Sequence, residues 1–455
     1  MDRRTFIQAG ALSLAATWQA GRPAAHQRTA LALPSAAQLA WQRDELAMFL
    51  HFGVNTFTDR EWGDGREDPA IFNPASLDAR QWTRTAKAAG FRALILTAKH
   101  HDGFCLWPTG TTRHSVAASP FRGGNGDVVR EFVDACAAEG LRAGLYLSPW
   151  DRNHPTYGDS PAYNDVYAAQ LTELLTRYGT VSEVWFDGAN GEGPNGRRQV
   201  YDWPRVWGLV RRLQPAAVVF SDAGPDVRWC GNERGIAGDP NWSAVDPSVV
   251  RFPGQSDDAV GDALQHGHPH GSVWRPAEVD VSIRPGWFYH QAQDSAVRTE
   301  DDLVQLYFTS VGRNAKLLLN VPPTRDGLLH ETDAARLNGM HRRLDVMRGS
   351  HIPVAQPSWR RTSARTAVAE WRLRRPGAPA VVRLAENISS GQRVARFTVE
   401  GHDGAGWRRI AAGTTIGYSK LERVTPGTTL TRVRLLVEDA AAPPEPIGIE
   451  LFGAV

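Results

Sequence analysis

From residue 47 onward, short apolar runs alternate with stretches in which apolar positions recur every three to four residues. The runs, at residues 47–55, 91–100, 141–149, 181–187 and 216–221, are brief and nearly continuous. Strands buried on both faces of a parallel sheet read this way. Between them lie helix patterns. Residues 76–90 place Trp82, Ala86 and Ala89 on one face and stop at Gly90. Asp127 precedes a helix that carries Val129, Phe132, Val133 and Cys136 to Gly140. A third helix covers residues 161–178 and ends at Gly179; Val206, Trp207, Val210 and Leu213 mark a fourth. The pattern loosens over residues 222–285, which are rich in Pro, Gly, His and Trp, and tightens again at 286–290. Thr299-Glu300-Asp301-Asp302 reads as a capping box for a helix over 303–311, followed by a strand at 316–321 and a helix at 331–347.

Repeated strand–helix units predict a parallel sheet. Roughly seven or eight of them in about 300 residues favour an irregular, TIM-like (β/α) barrel over an open doubly wound sheet. No Gly-x-Gly-x-x-Gly turn follows the first strand, so the main signal for a dinucleotide is missing. After residue 350 the period becomes two. Residues 393–400, 431–438 and 447–452 alternate, with Gly and Pro between them and no helix signal, as in a β-sandwich. The expected organisation is an α/β chain: a leader and linker at 1–33, the barrel at 34–348, and a C-terminal β-sandwich at 349–455 that packs against the barrel.

The 455-residue chain is 42% apolar and 22% charged, with a formal net charge of +2. Neither nucleic acid nor an anionic membrane surface is an expected partner. The 16 Trp residues change the picture more. A flat indole packs against the C–H face of a sugar ring, so beside a carboxylate site this surplus points to carbohydrate. Cys105, Cys136 and Cys230 are too few and too widely spaced for a disulfide framework or a zinc knuckle. Asp2-Arg3-Arg4-Thr5-Phe6-Ile7-Gln8 has the form of a twin-arginine export signal. The mild apolar stretch after it, residues 9–17, is too short to span a bilayer. Removal of the leader between about residue 20 and residue 33 is expected, which leaves a periplasmic or secreted protein with no membrane attachment.

In a barrel of this kind the C-terminal strand ends carry the chemistry. The first strand ends at His51 and Asn55, and the second at Lys99-His100-His101-Asp102. The third ends at Tyr146, Ser148, Trp150 and Asp151, the fourth at Trp185 and Asp187, the fifth at Asp222, and the last at Asn320. Val184-Trp185-Phe186-Asp187-Gly188 is the most informative of these. A buried run breaks onto a carboxylate flanked by aromatics, and Asp187 reads as a nucleophile. A second carboxyl with a raised pKa would complete the pair of a retaining glycosidase. Asp222, Asp226, Glu233, Asp239, Asp246, Asp257, Asp258 and Glu278 are candidates. Glu233, in a turn just after Trp229, stands first and Glu278 second. His266-x-His268-x-His270 has spacing open to a metal, but a polar loop near the cleft is the favoured reading, and no metal or cofactor is expected. Neutral histidines suit sugar hydroxyls as donors and acceptors.

Together, His51-Phe52-Gly53, Lys99-His100-His101-Asp102-Gly103-Phe104, Trp185-Phe186-Asp187-Gly188 and Leu317-Leu318-Leu319-Asn320-Val321 resemble glycoside hydrolase family 29, the retaining α-L-fucosidases. The resemblance implies a barrel followed by a sandwich, with Asp187 as nucleophile. It implies His51, His100, His101 and Trp185 as fucose-binding residues, with Glu61 and Trp62 as a further sugar-contacting pair and Tyr146 or Trp150 as another contact. The segments around Tyr146 to Asn153, Gly231-Asn232-Glu233 and Ser282 to His290 resemble the subgroup acting on branched α-1,3/1,4-linked fucose. That implies Glu233 as acid/base. It adds Asp151, Trp287 and Glu278 to the substrate-binding set, with Glu278 toward the neighbouring galactose or ordering the cleft. The implied partner is a fucosylated oligosaccharide or glycoconjugate of Lewis type, cleaved by double displacement. Competing readings are a broad-specificity fucosidase, a barrel that binds sugar without turnover, and a metal-dependent hydrolase built on the histidines.

Overall fold

The computed structural model of the chain describes residues 31–424, 427 and 429–454. The expected leader therefore lies outside the described residues as far as residue 30. Eight strands form one sheet, and every pairing in it is parallel. They are β1 (Leu46–Leu50), β2 (Ala93–Lys99), β3 (Arg142–Leu147), β4 (Glu183–Trp185), β5 (Val218–Phe220), β6 (Arg228–Trp229), β7 (Ala277–Ser282) and β8 (Lys316–Asn320). Each neighbours the next in sequence from β1 to β5, and β8 closes back onto β1 while β7 joins β8 to β6. A single bridge between Phe220 and Val227 links β5 to β6, so the sheet is a nearly closed, irregular TIM-like barrel.

Alternation along the strands sorts the side chains into two layers. Leu94 and Leu96 of β2 and Val279 and Val281 of β7 point outward into the helix layer, where they meet Trp82, Phe132 and Leu303. Phe49, Ile95, Tyr146, Trp185, Phe220 and Leu318 point inward, and Trp41 packs with them. The longer helices, of nine residues or more, are α1 (Ala79–Ala88), α2 (Val128–Glu139), α3 (Ser160–Arg177), α4 (Trp203–Leu213), α5 (Asp258–His266), α6 (Glu300–Thr309) and α7 (Glu331–Gly349). Their starts follow the expected capping chemistry. Asp127 accepts the Arg130 amide at 2.8 Å, and the Thr299–Asp302 capping box is complete.

Two antiparallel sheets follow α7. One is built from His351–Ile352, Gly448–Phe452, Val381–Ala385 and Lys420–Arg423; the other holds five strands centred on Ala367–Gly377, Leu430–Ala440 and Val394–His402. They enclose a core of their own, with Trp371, Phe397, Val433 and Leu451 buried. Polar contacts fasten this sandwich to the barrel. Lys420 Nζ reaches both Asp239 oxygens at 2.9 Å, and Arg383 pairs with Glu45 at 2.6 Å.

The stretch at 222–285 is where the periodic reading differs from the fold. It contains β6, β7 and α5, whereas residues 286–290 form a loop rather than a strand. β6 has two residues, too few to show any period. The first strand also ends at Leu50 instead of continuing to Asn55, because Val54–Thr58 turns into a short helix.

Candidate active site

A cavity of about 580 Å³ opens at the C-terminal ends of the barrel strands. Ten residues singled out from the sequence line it: His51, Glu61, Trp62, His100, His101, Tyr146, Trp185, Asp187, Glu233 and Trp287. Phe186 points into the helix layer, so the alternation turns Trp185 and Asp187 the other way, toward the barrel axis. Trp185 stacks on Phe220 with ring centroids 4.1 Å apart and planes 9° from parallel. Asp187 is held by two donors. Tyr146 Oη donates to Oδ2 at 3.0 Å, and the Ala189 amide donates to Oδ1 at 2.7 Å. About a quarter of the side chain, 26%, stays open to solvent.

The three histidines are buried and neutral. Burial pushes His51 down to about 3, against which its bond to Asn320 is the smaller effect. Burial also lowers His100 and His101, the former well below the usual imidazole range. Their partners fix two of the tautomers. Asn320 Nδ2 donates to the Ser282 hydroxyl at 3.0 Å and the Trp287 carbonyl at 2.8 Å, so its Oδ1 must accept from His51 Nδ1–H at 2.8 Å. Ser148 uses its only proton on the Trp150 carbonyl at 2.7 Å, so its oxygen accepts from His101 Nδ1–H at 2.7 Å. Both histidines therefore keep an Nε2 lone pair that can accept from a hydroxyl. His101 Nε2 lies 3.9 Å from Asp187 Oδ2, and His100 Nδ1 is buried with no hydrogen-bond partner among the described residues.

Glu233 stands at the exposed mouth, where Trp287 Nε1 donates to Oε2 at 3.3 Å. Loss of surrounding water and the facing charges of Asp187 and Glu61 raise its pKa above the ordinary glutamate value, and the Trp287 bond opposes them. Glu61 closes the loop after β7. It accepts the Trp287 and Phe288 amides at 2.8 and 3.3 Å and meets His290 Nε2 at 2.5 Å. Trp62 is 59% exposed and meets Trp150 edge-on at 5.9 Å.

Three residues of the expected set stand outside the lining. Trp150 backs Trp62 and His101 and spends its N–H on the Glu192 carbonyl at 3.0 Å. Asp151 is buried, which by itself would raise its pKa, but the ion pair with Lys99 at 3.1 Å and the bond from the His154 amide together lower it. Glu278 is fully buried in the barrel interior. It accepts Trp185 Nε1–H at 3.1 Å and lies 3.9 Å from Lys316, which also pairs with Glu183 at 3.3 Å. Burial, reinforced by Glu183, pushes the Glu278 carboxyl well up.

Phe49, Asp222, Trp229 and Asp280 also line the cavity. Asp222 is one of the carboxyl candidates; Trp229 enters the sequence reading only as the neighbour of Glu233, and Phe49 and Asp280 carry no local signal. Burial raises Asp222 to about 6, against the stabilising bond from the Gly254 amide at 2.8 Å. The remaining five candidates have other roles: Asp226 pairs with Arg211, Asp239 with Lys420, Asp246 accepts from Ser248, Asp257 caps α5 and Asp258 lies in its first turn. His266 Nδ1 meets the Pro240 carbonyl at 2.7 Å, away from the cavity lining. Among the described residues no group of three or more His, Cys, Asp or Glu is arranged to hold a metal ion.

Residues 15–347 match the family model described as Alpha-L-fucosidase. An α-L-fucosidase 1 of Arabidopsis thaliana is 42% identical over 457 residues, covering 92% of this chain and 87% of its own. A solved glycoside hydrolase 29 family member from an unknown rumen bacterium superimposes with a TM-score of 0.84 at 37% identity, covering 94% of this chain and 78% of that one. A Ruminococcus gnavus GH29 fucosidase in complex with fucose gives a TM-score of 0.82 at 30% identity, covering 94% and 96%. The chain belongs to the α-L-fucosidase family of glycoside hydrolases, family 29.

Proposed function

We propose that this fucosidase-family chain is a retaining exo-α-L-fucosidase that releases terminal α-1,3/1,4-linked fucose from Lewis-type glycans. The observation that carries the reading is Asp187, held by Tyr146 and the Ala189 amide in a cavity that Glu233 faces from the mouth. Asp187 attacks the anomeric carbon while protonated Glu233 gives its proton to the leaving oxygen. A fucosyl ester forms on Asp187, and Glu233 then takes a proton from the water that hydrolyses it. The raised pKa of Glu233 keeps that proton available above the ordinary glutamate range. The neutral His51 and His101 accept from sugar hydroxyls, and Trp185 and Phe49 supply apolar surface for the ring. The relative from Ruminococcus gnavus holds fucose, which supports the sugar assignment.

A 2-fluoro-fucosyl reagent should label the peptide that carries Asp187, and azide should restore turnover of an activated aryl fucoside to Glu233→Ala. Sugar binding without labelling would favour a non-catalytic barrel instead. Strong preference for a Lewis-type trisaccharide over an aryl α-L-fucoside is the expected sign of the linkage specificity; equal rates would point to broad specificity. We also infer export by the twin-arginine route, since Arg3-Arg4 precedes Phe6 and a short apolar stretch. Arg3→Lys with Arg4→Lys should retain the chain in the cytoplasm, and normal export of that variant would exclude the route.

A further inference from the structure

β7 turns Glu278, Asp280 and Ser282 toward the barrel axis, because Ala277, Val279 and Val281 face the helices. The three polar residues form a ladder from the buried Lys316 network up to the cavity. Glu278 meets Trp185 and Lys316, and Ser282 accepts from Asn320 and donates to the Gly286 carbonyl at 2.7 Å. Ser282 is fully partnered; Glu278, whose Oε1 meets no hydrogen-bond donor among the described residues, lies outside the cavity lining and cannot meet a ligand there. The middle rung is half accounted for. Asp280 Oδ1 accepts Trp229 Nε1–H at 2.7 Å, while no side chain among the described residues donates to Oδ2. The residue is only 4% exposed, yet it lines the cavity.

We propose that Asp280 is a third substrate-contacting carboxyl, whose Oδ2 hydrogen-bonds a hydroxyl of the fucosyl ring at the cavity floor. The proposal rests on the fucosidase reading of the same site. Asp280 lies one rung below Ser282 and Asn320, so the ring seated deepest reaches it and an acceptor sugar at the mouth does not. Its role is that of a donor. Burial, with Glu233 and then Asp187 facing it, pushes the carboxyl well up and keeps it protonated, and with Oδ1 taken by the indole the proton resides on Oδ2. A neutral acid there adds no second negative charge beside Asp187 while Glu233 is protonated. An ionised one would oppose the leaving-group proton transfer through repulsion of Glu233 as it ionises.

The test is kinetic, on an aryl α-L-fucoside, which has no acceptor sugar. Asp280→Asn keeps an acceptor for Trp229 and a donor toward the ring, so kcat/KM should stay within about threefold of wild type. Asp280→Ala removes both and should lower kcat/KM about 10- to 100-fold, as loss of a buried partner to a polar group does. Trp229→Phe isolates the indole bond. If Asp280 served only to hold Trp229, that variant would lose as much as Asp280→Ala, and the double variant would lose no more; the proposal requires Asp280→Ala to lose at least fivefold more. Equal losses, a loss confined to oligosaccharide substrates, or damage to Asp280→Asn as severe as to Asp280→Ala would each overturn it. Thermal melts confirm that each variant is folded. A wild-type protein inert on every fucoside would instead refute the fucosidase reading itself.

Discussion

Gly188, one residue past the proposed nucleophile, offers the sharpest test of how the site is held. Its backbone is outside the left-handed region, so alanine brings no conformational strain of its own. Space is the obstacle. A Cβ there would sit 2.3 Å from Asp222 Oδ2, 2.9 Å from the Gly254 nitrogen and 3.1 Å from the Gly254 Cα. Ordinary contact begins at 3.4 Å, so something must move by about 1 Å. The Asp222 carboxyl is itself tied to the Gly254 amide at 2.8 Å, and the loop backbone blocks the second direction. The strain therefore falls in part on the strand end that carries Asp187. A displacement of about 1 Å in a reacting group costs about 100-fold in rate, or about 2.7 kcal/mol of barrier. Gly188→Ala should accordingly lower kcat on an aryl α-L-fucoside by about two decades, with KM changed much less and the melting temperature nearly kept. Adding Asp222→Ala removes the closest clash and should recover part of the loss. A Gly188→Ala enzyme within threefold of wild-type kcat would refute the claim that this packing positions Asp187.

Two further outcomes follow from buried charge. Asp222 rises from 3.8 to about 6 on folding. A raised folded pKa gives stability that is complete below the unfolded value and lost as pH rises through the folded one. Asp222→Asn should therefore gain stability over wild type between pH 4 and pH 8, by at most about 3 kcal/mol for a shift of about 2 units; denaturant midpoints with the same gap at both pH values would exclude it. Lys316→Met would leave Glu183, Glu278 and Asp44, at 3.3, 3.9 and 4.0 Å from the ammonium, without their cation. Loss of one partner in a buried pair costs about 3–5 kcal/mol, so urea unfolding should show a drop of that order, and a change under 1 kcal/mol would contradict the network.

Asp187 was legible in the sequence because the local pattern changes within two residues, from an apolar run to an acid and a glycine. Asp280 was hidden for the opposite reason. Ala277-Glu278-Val279-Asp280-Val281-Ser282 alternates acids with valines, and such a strand normally shows its acids to water. Only closure of the barrel turns that face inward, and the compensating partners, Lys316, Trp185 and Trp229, lie on other strands. Asp151 misled in a related way. As a strand-end carboxylate it resembled a ligand contact, but its cation, Lys99, comes from the end of the neighbouring strand and holds it out of the cavity. The barrel itself could be read because each long strand carries its own apolar run, whereas β6 draws its identity from the chains beside it.

The histidines have a consequence for the conditions in which the sugar can be held. An imidazole near pH 6.5 usually works as a sensor, gaining charge as the surroundings turn acidic. Here burial removes that response: His51 stays uncharged down to about pH 3, and burial likewise holds His100 well below the usual imidazole range. His51 and His101, the latter also lowered by burial, act as fixed dipoles set by Asn320 and Ser148. In the proposed reading, recognition of the hydroxyls is thereby uncoupled from ambient acidity, and the acid limit of the enzyme is left to its carboxyls.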